Sequence, residues 1–266
     1  MFCDIQTDSV LFFLESTSGL RVGLYSVSLE SNSVFLHRLE RRIITMAKNI
    51  LIVGGTSGLG LSLASLLSAD GHNLYVTGRT DPARDGMKFY ALDIDTDTLA
   101  VDLDSLLSAL PKIDLLIYAA GFYEEARIAE SSDAFILKME RVGLLAPMLL
   151  VAKLMRRQGS LSEFVAVTST SQWTPRELEP SYSAVKAGLG MFANSLSLDP
   201  AIGKVLVIGV AGMATPFWKD SSRDVSSMLH PDWVAAQIVS QLVDGYDYKL
   251  VKILRNPARV EIVETR

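Results

Sequence analysis

The stretch that most constrains the fold is residues 50–60, which read ILIVGGTSGLG. Its first four residues are apolar and mostly β-branched, a pattern that predicts a strand buried on both faces, as in a parallel sheet. Glycines follow at Gly54, Gly58 and Gly60, and a helical pattern then begins at residues 61–67. A strand, a glycine-rich turn and a helix in this order predict an anion site, because a helix N-terminus offers free N–H groups and a partial positive charge.

The spacing of these glycines is G-x-x-x-G-x-G, which differs from the G-x-G-x-x-G fingerprint of dinucleotide-binding proteins. Two interpretations of the turn are therefore open. Either the glycines let the pyrophosphate of a nucleotide cofactor approach the backbone, or they form an ordinary tight connection between a strand and a helix. The turn by itself does not decide between them.

Composition argues against several classes of function. A net charge of −5, with no dense run of lysine or arginine, argues against nucleic acid as a partner. The single cysteine, Cys3, rules out an internal disulfide framework and a cysteine-based zinc site, and the few scattered histidines lead us to predict no metal site. No apolar run approaches the ~20 residues that span a bilayer, so we expect no membrane partner and a cytoplasmic location.

Residues 1–45 do not belong to the pattern that follows them. Their apolar run at residues 10–14 is too short for the core of a signal peptide and follows acidic residues instead of basic ones. Met46 stands directly before the first strand and resembles a natural start of translation. We therefore predict an N-terminal extension over residues 1–45, dispensable for folding and ligand binding, and a single domain over residues 46–266.

From residue 48 onwards, strand-like and helix-like segments alternate. Strands are predicted at residues 50–53, 73–77, 88–92, 113–118, 163–168, 204–210 and 250–254, and helices from residue 61 and at 98–110, 131–158, 181–198 and 231–244. This alternation is typical of right-handed βαβ units. The predicted fold is therefore a doubly wound, Rossmann-type α/β domain with a mainly parallel seven-stranded sheet flanked by helices.

Residues at the carboxyl ends of the predicted strands matter most, because ligands of an open parallel sheet bind there. The second strand runs into Arg79, and no acidic residue is present there to bind a ribose 2′-hydroxyl. Arg79 suits a 2′-phosphate, which favours NADP(H) over NAD(H), although it could also be a solvent-exposed loop residue. Asp93 and Ile94 follow the third strand as candidate adenine contacts, and Asp93 could equally cap the next turn.

Three polar residues follow the fifth strand. Ser169 comes first, Tyr182 follows thirteen residues later, and Lys186 four residues after that. Residues i and i+4 share one face of a helix, so Tyr182 and Lys186 can face one pocket, although a plain amphipathic helix has the same spacing. A nearby ammonium stabilises a phenolate and lowers the tyrosine pKa from ~10, as acid–base catalysis near neutral pH requires.

Taken together, these motifs resemble those of the short-chain dehydrogenase/reductase family over residues 48 to about 255. The glycine turn, Asp93-Ile94, Ala119-Ala120-Gly121, Ser169, Tyr182 and Lys186 lie in register, and residues 211–215 (AGMAT) resemble the family's Pro-Gly-x-x-Thr segment that binds nicotinamide. With Arg79, the predicted cofactor-binding residues are Gly54, Thr56, Ser57, Gly58, Leu59, Gly60, Arg79, Asp93, Ile94, Ala119, Ala120, Gly121, Tyr182, Lys186, Gly212 and Thr215.

The resemblance implies a reaction and an assembly. NADPH would deliver hydride to a carbonyl carbon while Tyr182 protonates the oxygen, which Ser169 holds by a hydrogen bond. Lys186 would hold the nicotinamide ribose and depress the pKa of Tyr182. Family members commonly pair through the helices that here span residues 131–158 and 181–198, so a homodimer or homotetramer is implied.

Three residues depart from the family pattern. Tyr118 stands where the family usually has asparagine, and Ala211 replaces the usual proline. Gly143 occupies the position of a catalytic asparagine that helps to hold a water in the proton relay to Lys186, so the relay runs through water alone or is impaired. A glycine inside a helix costs ~0.5–1 kcal/mol relative to alanine, so Gly143 also predicts a bend or close packing.

Two functions are compatible with these residues. The first is an NADP(H)-dependent oxidoreductase that reduces a small carbonyl compound or oxidises the corresponding alcohol, with Ser169, Tyr182 and Lys186 as its catalytic residues. The alternative is a cofactor-sensing protein of the same fold whose turnover is impaired because of Gly143. Residues 216–229 form a predicted lid, and its side chains Phe217, Trp218 and Met228 either face an apolar substrate or pack the lid against the core.

Overall fold

The structure is a computed structural model that describes residues 47–219, 221, 223–243 and 245–266. The expectations for residues 1–45 lie outside the described residues. Within the described part, none of the helices is both long and apolar enough to cross a membrane.

A single sheet of eight strands forms the centre of the described domain, in the order β3-β2-β1-β4-β5-β6-β7-β8. Strands β1 to β7 are parallel, and β8 runs antiparallel to β7. The strands are β1 Asn49–Val53, β2 Asn73–Gly78, β3 Met87–Ala91, β4 Leu115–Tyr118, β5 Leu161–Ser169, β6 Ile202–Val210, β7 Tyr248–Leu254 and β8 Arg259–Thr265.

The doubly wound α/β fold is confirmed, but the predicted number of strands was wrong by one. The missed strand is β8, which among the described strands lies at the edge of the sheet and pairs with β7 alone. Its side chains are mostly exposed and include charged residues such as Arg259, Glu261 and Glu264. An edge strand of this kind lacks the apolar run that marks a buried strand, so the periodicity of the sequence did not show it.

Helices cover both faces of the sheet. They are α1 Gly58–Ala69, α2 Leu99–Ala109, α3 Asp133–Glu140, α4 Ala146–Gln158, α5 Pro180–Leu196 and α6 Pro231–Ser240, with short 3-10 turns at Ile128–Glu130, Thr170–Gln172 and Pro216–Trp218. The predicted helix over residues 131–158 is a continuous helical stretch, in which a π-helical turn, Arg141–Leu145, joins α3 to α4. The last helix ends at Ser240, before the predicted boundary at residue 244.

Alternate side chains of the central strands enter two separate cores, as strands buried on both faces require. Leu51 and Val53 pack into the core under α2, α4 and α5, whereas Ile50 and Ile52 pack into the core under α1 and α6. Because helices cover both faces of β1, a ligand can reach this strand only at its end. The glycine turn begins there, directly after Val53.

Candidate active site

A cleft of about 740 Å³ opens at the carboxyl ends of the parallel strands. It lies where the sheet order changes direction, because β2 pairs with one edge of β1 and β4 pairs with the other. In doubly wound folds this switch point is where nucleotides bind. All the residues that the sequence predicted for cofactor binding or catalysis line this one cleft. We call the part around residues 54–60 and Arg79 the nucleotide end, and the part around Ser169, Tyr182 and Lys186 the reacting end.

The glycine turn at the nucleotide end accepts no side chain at two of its positions. Gly54 has φ +80°, and a Cβ built on it would lie 2.8 Å from the Cα of Ala120. A Cβ on Gly60 would lie 2.0 Å from the carbonyl oxygen of Gly54, so the third glycine packs directly on the first. The glycines therefore bring the backbone of the turn close to the end of β4 and leave the space above the turn free of side chains.

Helix α1 begins inside this turn with its backbone donors available. Ser57 is the N-cap, and within the described residues its side chain makes no capping hydrogen bond. The first turn of α1 runs from Gly58 to Leu61 and contains no acidic residue. Free N–H groups and an uncompensated positive helix end fit a pyrophosphate, so this cradle suits the predicted dinucleotide.

Side chains after β2 and β3 complete the nucleotide end. Arg79 is exposed at the mouth of the cleft, directly after Gly78, whose missing side chain leaves room for Thr56. Asp93 accepts a hydrogen bond from the backbone N–H of Asp95 at 3.0 Å, so it caps the next turn as well as lining the cleft. Arg79 therefore brings a positive charge to the nucleotide end, and no ion pair is described for it.

Described residues of the predicted lid line the cleft, namely residues 216–219, Arg223 and Met228. Trp218 Nε1 donates a hydrogen bond to the carbonyl of Met213 at 2.7 Å. The N–H of Leu229 donates to the carbonyl of Gly212 at 3.0 Å, and the N–H of Ala214 donates to the carbonyl of Leu229 at 2.9 Å. Both ends of the segment are therefore fixed to each other beside the cleft. A Cβ on Gly58 would lie 3.2 Å from Thr215, which brings the start of the lid onto the glycine turn.

Ser169, Tyr182 and Lys186 come together at the reacting end, and all three are at least nine-tenths buried. Ser169 is the last residue of β5, and Tyr182 and Lys186 lie one turn apart on α5. The Tyr182 hydroxyl lies in the cleft beside the Ser169 side chain, which acts to lower the pKa of Tyr182. The Lys186 ammonium lies 5.8 Å from the centre of the Tyr182 ring and donates to the carbonyl of Val167 at 3.1 Å.

Burial shifts the pKa values of Tyr182 and Lys186. Desolvation raises the pKa of Tyr182 above its ordinary value, the interaction with Ser169 opposes the rise, and the charge of Glu179 adds to it. Desolvation also lowers the pKa of Lys186, from 10.5 to about 8. Lys186 is not among the groups that shift the pKa of Tyr182 in this structure, and its expected effect on Tyr182 stays a prediction.

Two of the departures from the family pattern are linked in space. Pro147 has no N–H, and the N–H of Ala146 donates to Arg141, so no helical donor reaches the carbonyl of Val142. The Tyr118 hydroxyl supplies that hydrogen bond from β4, at 2.5 Å. Tyr118 thus fixes the π-helical turn to the sheet, and π turns are frequent at functional sites.

Gly143 lies within this π-helical turn and is tightly packed. A Cβ there would lie 2.6 Å from Cγ2 of Val185 and 2.9 Å from its Cβ. The prediction of close packing at Gly143 is confirmed. An asparagine at this position would require Val185, which lies between Tyr182 and Lys186 on α5, to move.

Four polar residues beside the reacting end were not predicted from the sequence: Tyr123, Glu125, Glu179 and Arg223. The Tyr123 hydroxyl lies 2.8 Å from a carboxylate oxygen of Glu125 and 2.8 Å from one of Glu179. Arg223 donates to Glu125 at 2.7 Å and to Glu179 at 3.0 Å. These residues lie far apart in the sequence and share no short motif, so only the fold brings them together.

Comparison with known proteins decides the family. The sequence model described as short chain dehydrogenase matches residues 48–226, a stretch that contains the glycine turn, Ser169, Tyr182 and Lys186. The chain belongs to the short-chain dehydrogenase/reductase family. It is therefore an oxidoreductase of the class that acts on CH–OH and carbonyl groups.

Individual members of the short-chain dehydrogenase/reductase family are distant relatives of this chain. The uncharacterized oxidoreductase YohF of Escherichia coli (strain K12) is 28% identical over 204 residues, which cover 70% of this chain and 81% of YohF. Sorbitol-6-phosphate 2-dehydrogenase of Klebsiella pneumoniae is 26% identical over 246 residues, covering 83% of this chain and 88% of the relative.

Among solved structures, a short-chain dehydrogenase from Sphingobium yanoikuyae, in complex with NADPH, has a TM-score of 0.66 at 21% identity. The similarity covers 73% of this chain and 84% of that protein. A short-chain dehydrogenase/reductase from Vibrio parahaemolyticus has a TM-score of 0.66 at 25% identity, covering 76% of this chain and 98% of the other. These similarities agree with the doubly wound fold described above.

Proposed function

We propose that this short-chain dehydrogenase/reductase is an NADP(H)-dependent reductase of small carbonyl compounds, which also catalyses oxidation of the corresponding alcohol. The observation that carries the proposal is the convergence of Ser169, Tyr182 and Lys186 on the cleft that the glycine turn lines. A phenol beside a serine and one helical turn from a lysine supplies a proton donor, an oxygen ligand and a positive group at one place.

The cofactor would lie across the whole cleft. The N-terminus of α1 and the glycine turn would hold the pyrophosphate, Asp93 and Ile94 would flank the adenine, and residues 119–121 would face the ribose. Lys186 would hold the nicotinamide ribose, and Gly212 with Thr215 would bind the carboxamide. We infer a preference for NADP(H) from Arg79, which is exposed at the end of β2 where a 2′-phosphate would lie; NAD(H) is the alternative.

The bound cofactor supplies the hydride, and the protein supplies position and the proton. Ser169 would hold the carbonyl oxygen by a hydrogen bond. Tyr182 would give that oxygen its hydroxyl proton. Because burial raises the pKa of Tyr182, the phenol holds its proton near neutral pH, which suits the direction of carbonyl reduction.

Aromatic side chains would face the substrate. The ring centres of Tyr123 and Tyr182 lie 5.7 Å apart, and those of Tyr182 and Phe217 lie 6.2 Å apart. Trp218 packs on Tyr123 with ring centres 4.5 Å apart. Rings this close leave a narrow apolar space in front of the Tyr182 hydroxyl, which supports a small apolar carbonyl compound as the substrate.

A turnover assay tests the proposal. Purified protein is incubated with NADPH or NADH and a panel of ketones, aldehydes and quinones, and consumption of the reduced cofactor is followed. We expect turnover with NADPH for at least one carbonyl compound, and its loss in Tyr182→Phe. Protein that binds NADPH yet oxidises it with no member of the panel would contradict the reductase.

The second candidate function, a cofactor sensor with impaired turnover, rests on Gly143. Asparagine cannot simply be restored at this position, because its Cβ would lie 2.6 Å from Val185. The informative variant therefore combines Gly143→Asn with Val185→Ala, and Val185→Ala alone is its control. Activity that appears only in the double variant favours the sensor, whereas turnover that is already measurable in the wild type favours the enzyme.

We also propose that the protein forms a homodimer or homotetramer through the surfaces of the helices at residues 133–158 and 180–196. Large apolar side chains are exposed there: Leu137, Leu145, Met148 and Met191. Burial of these side chains in a contact between copies would remove apolar surface from water. Sedimentation of the wild type beside Met191→Lys tests the contact, and a monomeric wild type would contradict it. The cytoplasmic location stays a prediction.

A further inference from the structure

Glu179 is a buried carboxylate in the wall of the cleft. Only 4% of its surface is exposed, although it directly precedes α5. A buried carboxylate is costly unless hydrogen bonds and positive charges compensate for lost hydration. The two carboxylate oxygens of Glu179 have different partners beside the reacting end.

One oxygen of Glu179 connects to the reacting phenol through two serine hydroxyls. The Ser171 hydroxyl donates to Oε2 of Glu179 at 2.7 Å, and the Ser169 hydroxyl donates to that of Ser171 at 3.2 Å. The backbone N–H of Ser171 donates back to Oγ of Ser169 at 3.1 Å, which fixes the position of that oxygen. Ser169 also interacts with Tyr182, acting to lower the pKa of its hydroxyl, and both side chains line the cleft, so a series of polar contacts leads from the phenol to the carboxylate.

The other contacts of Glu179 hold the carboxylate in place. Its Oε1 lies 2.8 Å from the Tyr123 hydroxyl and 3.0 Å from Nη2 of Arg223. Nε of Arg176 lies 3.5 Å from Oε2. The side chains of both arginines are about one-third exposed, so this side of the carboxylate lies close to solvent.

We propose that Glu179 is a positioning residue that exchanges protons with Tyr182 through Ser171 and Ser169. The inference rests on the proposed function, and it gives the reaction a proton route that does not need the asparagine missing at Gly143.

The proton balance of this route is simple. After Tyr182 has given its proton to the carbonyl oxygen, the hydroxyl of Ser169 returns a proton to the phenolate. The hydroxyl of Ser171 replaces the proton on Ser169, and the Glu179 carboxylate passes a proton that it takes from solvent to Ser171. Glu179 is then again a carboxylate. Alcohol oxidation moves the proton outward along the same bonds, from Tyr182 to Glu179.

A purely structural role for Glu179 would make a different prediction. The ion pair with Arg223 and the hydrogen bond with Tyr123 need the carboxylate but do not involve Ser171. If these contacts alone mattered, removing the Ser171 hydroxyl would leave turnover intact. Ser171→Ala therefore separates proton exchange from attachment of the lid.

The turnover experiment compares Glu179→Gln, Ser171→Ala and the double variant with the wild type. Both single variants are expected to lower kcat roughly tenfold, less than the loss of a general acid itself, with unchanged KM and NADPH affinity. Because both changes break the same route, the double variant should lose no more than either single one. The matched control is Glu177→Gln, an exposed carboxylate two residues earlier. Additive losses, or an unaffected kcat in Ser171→Ala, would overturn the proposal.

A second measurement does not need turnover. NMR of protein with ¹³C-labelled tyrosine reports the phenol of Tyr182, assigned by its absence in Tyr182→Phe. We expect this signal to show a titration step at acid pH that persists in Glu177→Gln and disappears in Glu179→Gln. The other charged groups near the network are Arg176, Arg223, Glu125 and Lys186, and Glu125→Gln identifies any step that arises from Glu125 instead.

The two measurements separate the possible failures. A wild type that turns over no carbonyl compound but shows the acid step contradicts the reductase and leaves the proton coupling intact. A wild type that turns over substrate but shows no step removable by Glu179→Gln contradicts the coupling and leaves the reductase intact.

Discussion

The two ends of the cleft are built by different physical means. The nucleotide end is formed mainly by the backbone. Gly54 and Gly60 let the glycine turn pack closely against the end of β4 and against itself, and the N-terminus of α1 presents backbone N–H groups to a ligand. The reacting end is formed mainly by buried titratable side chains, among them Tyr182, Lys186 and Glu179. Added side-chain atoms would clash at the nucleotide end, whereas the charges at the reacting end depend on the protonation of its side chains.

The two ends therefore differ in how much free energy they cost the folded protein. A helix N-terminus and a glycine turn carry no formal charge, so leaving them open to a ligand costs little. Burying a lysine, a carboxylate and a phenol together carries a desolvation cost that hydrogen bonds only partly offset. The reacting end should therefore respond strongly to substitution in kcat, pH dependence and stability, and the nucleotide end in cofactor affinity.

The largest effect is expected for Tyr182→Phe, which removes the hydroxyl proton and leaves the ring in its aromatic packing. We expect kcat to fall roughly 100-fold or more, as is typical when a general acid is lost, with cofactor affinity within a factor of about two. Steady-state kinetics and fluorescence titration with NADPH measure the two quantities. Tyr90→Phe is the control, since that hydroxyl lies far from the reacting end, at 3.5 Å from the carbonyl of Ala109.

The next effect concerns stability, through Lys186. Burial lowers its pKa from 10.5 to about 8, so between these values the unfolded chain binds more protons than the folded protein. Stability gained from this group therefore rises with pH across that window, and below it the full penalty of a buried ammonium is present. We expect Lys186→Met to raise the free energy of unfolding by a few kcal/mol at about pH 7, and the gain to shrink at about pH 10.

Urea denaturation at both pH values measures this difference, with Lys112→Met, which removes an exposed lysine, as the control. Turnover of Lys186→Met should be lost although its stability is higher. Equal stability of wild type and Lys186→Met at both pH values would show that the reacting end holds no unfavourable buried charge, and the contrast between the ends would then disappear.

The residues of the nucleotide end could be placed in one cleft from sequence alone, because most of them lie in one short segment, and their binding of a cofactor stays a prediction. The alternation of apolar strands with helices likewise placed β1 to β7 in one sheet. The reacting end could be predicted only for Ser169, Tyr182 and Lys186, whose spacing resembles a known family. Glu179, Tyr118 and the other polar partners depend on contacts between distant segments, and no local pattern encodes them. The edge strand β8 was missed because an exposed strand lacks an apolar pattern.

A smaller effect is expected for Gly143→Ala, which tests the packing between the π-helical turn and α5. The added methyl group would lie 2.6 Å from Val185, so we expect a loss of about 1–3 kcal/mol in stability, as for overpacked cores. The matched control is Gly188→Ala, whose methyl group would have the flexible end of Leu144 as its nearest neighbour, at 3.2 Å, and which gains helix propensity. Thermal unfolding compares the two. A neutral Gly143→Ala would show that the turn can move away from α5.

The smallest effect is expected for Arg79→Ala at the nucleotide end. Arg79 is exposed, so its interaction with a 2′-phosphate is weakened by water, and we expect the affinity for NADPH to fall about tenfold. The affinity for NADH should not change, because NADH lacks that phosphate. Arg84→Ala is the control, since Arg84 is also exposed but does not line the cleft.

The kinetic form of the Arg79 effect matters more than its size. An interaction with a part of the cofactor that does not react contributes equally before and during hydride transfer, so Arg79→Ala should raise KM for NADPH and leave kcat unchanged. Tyr182→Phe should do the reverse. If Arg79→Ala lowered kcat, or weakened NADH and NADPH equally, then the nucleotide end would also influence the reacting groups, and the two ends of the cleft would have to be treated as one coupled site.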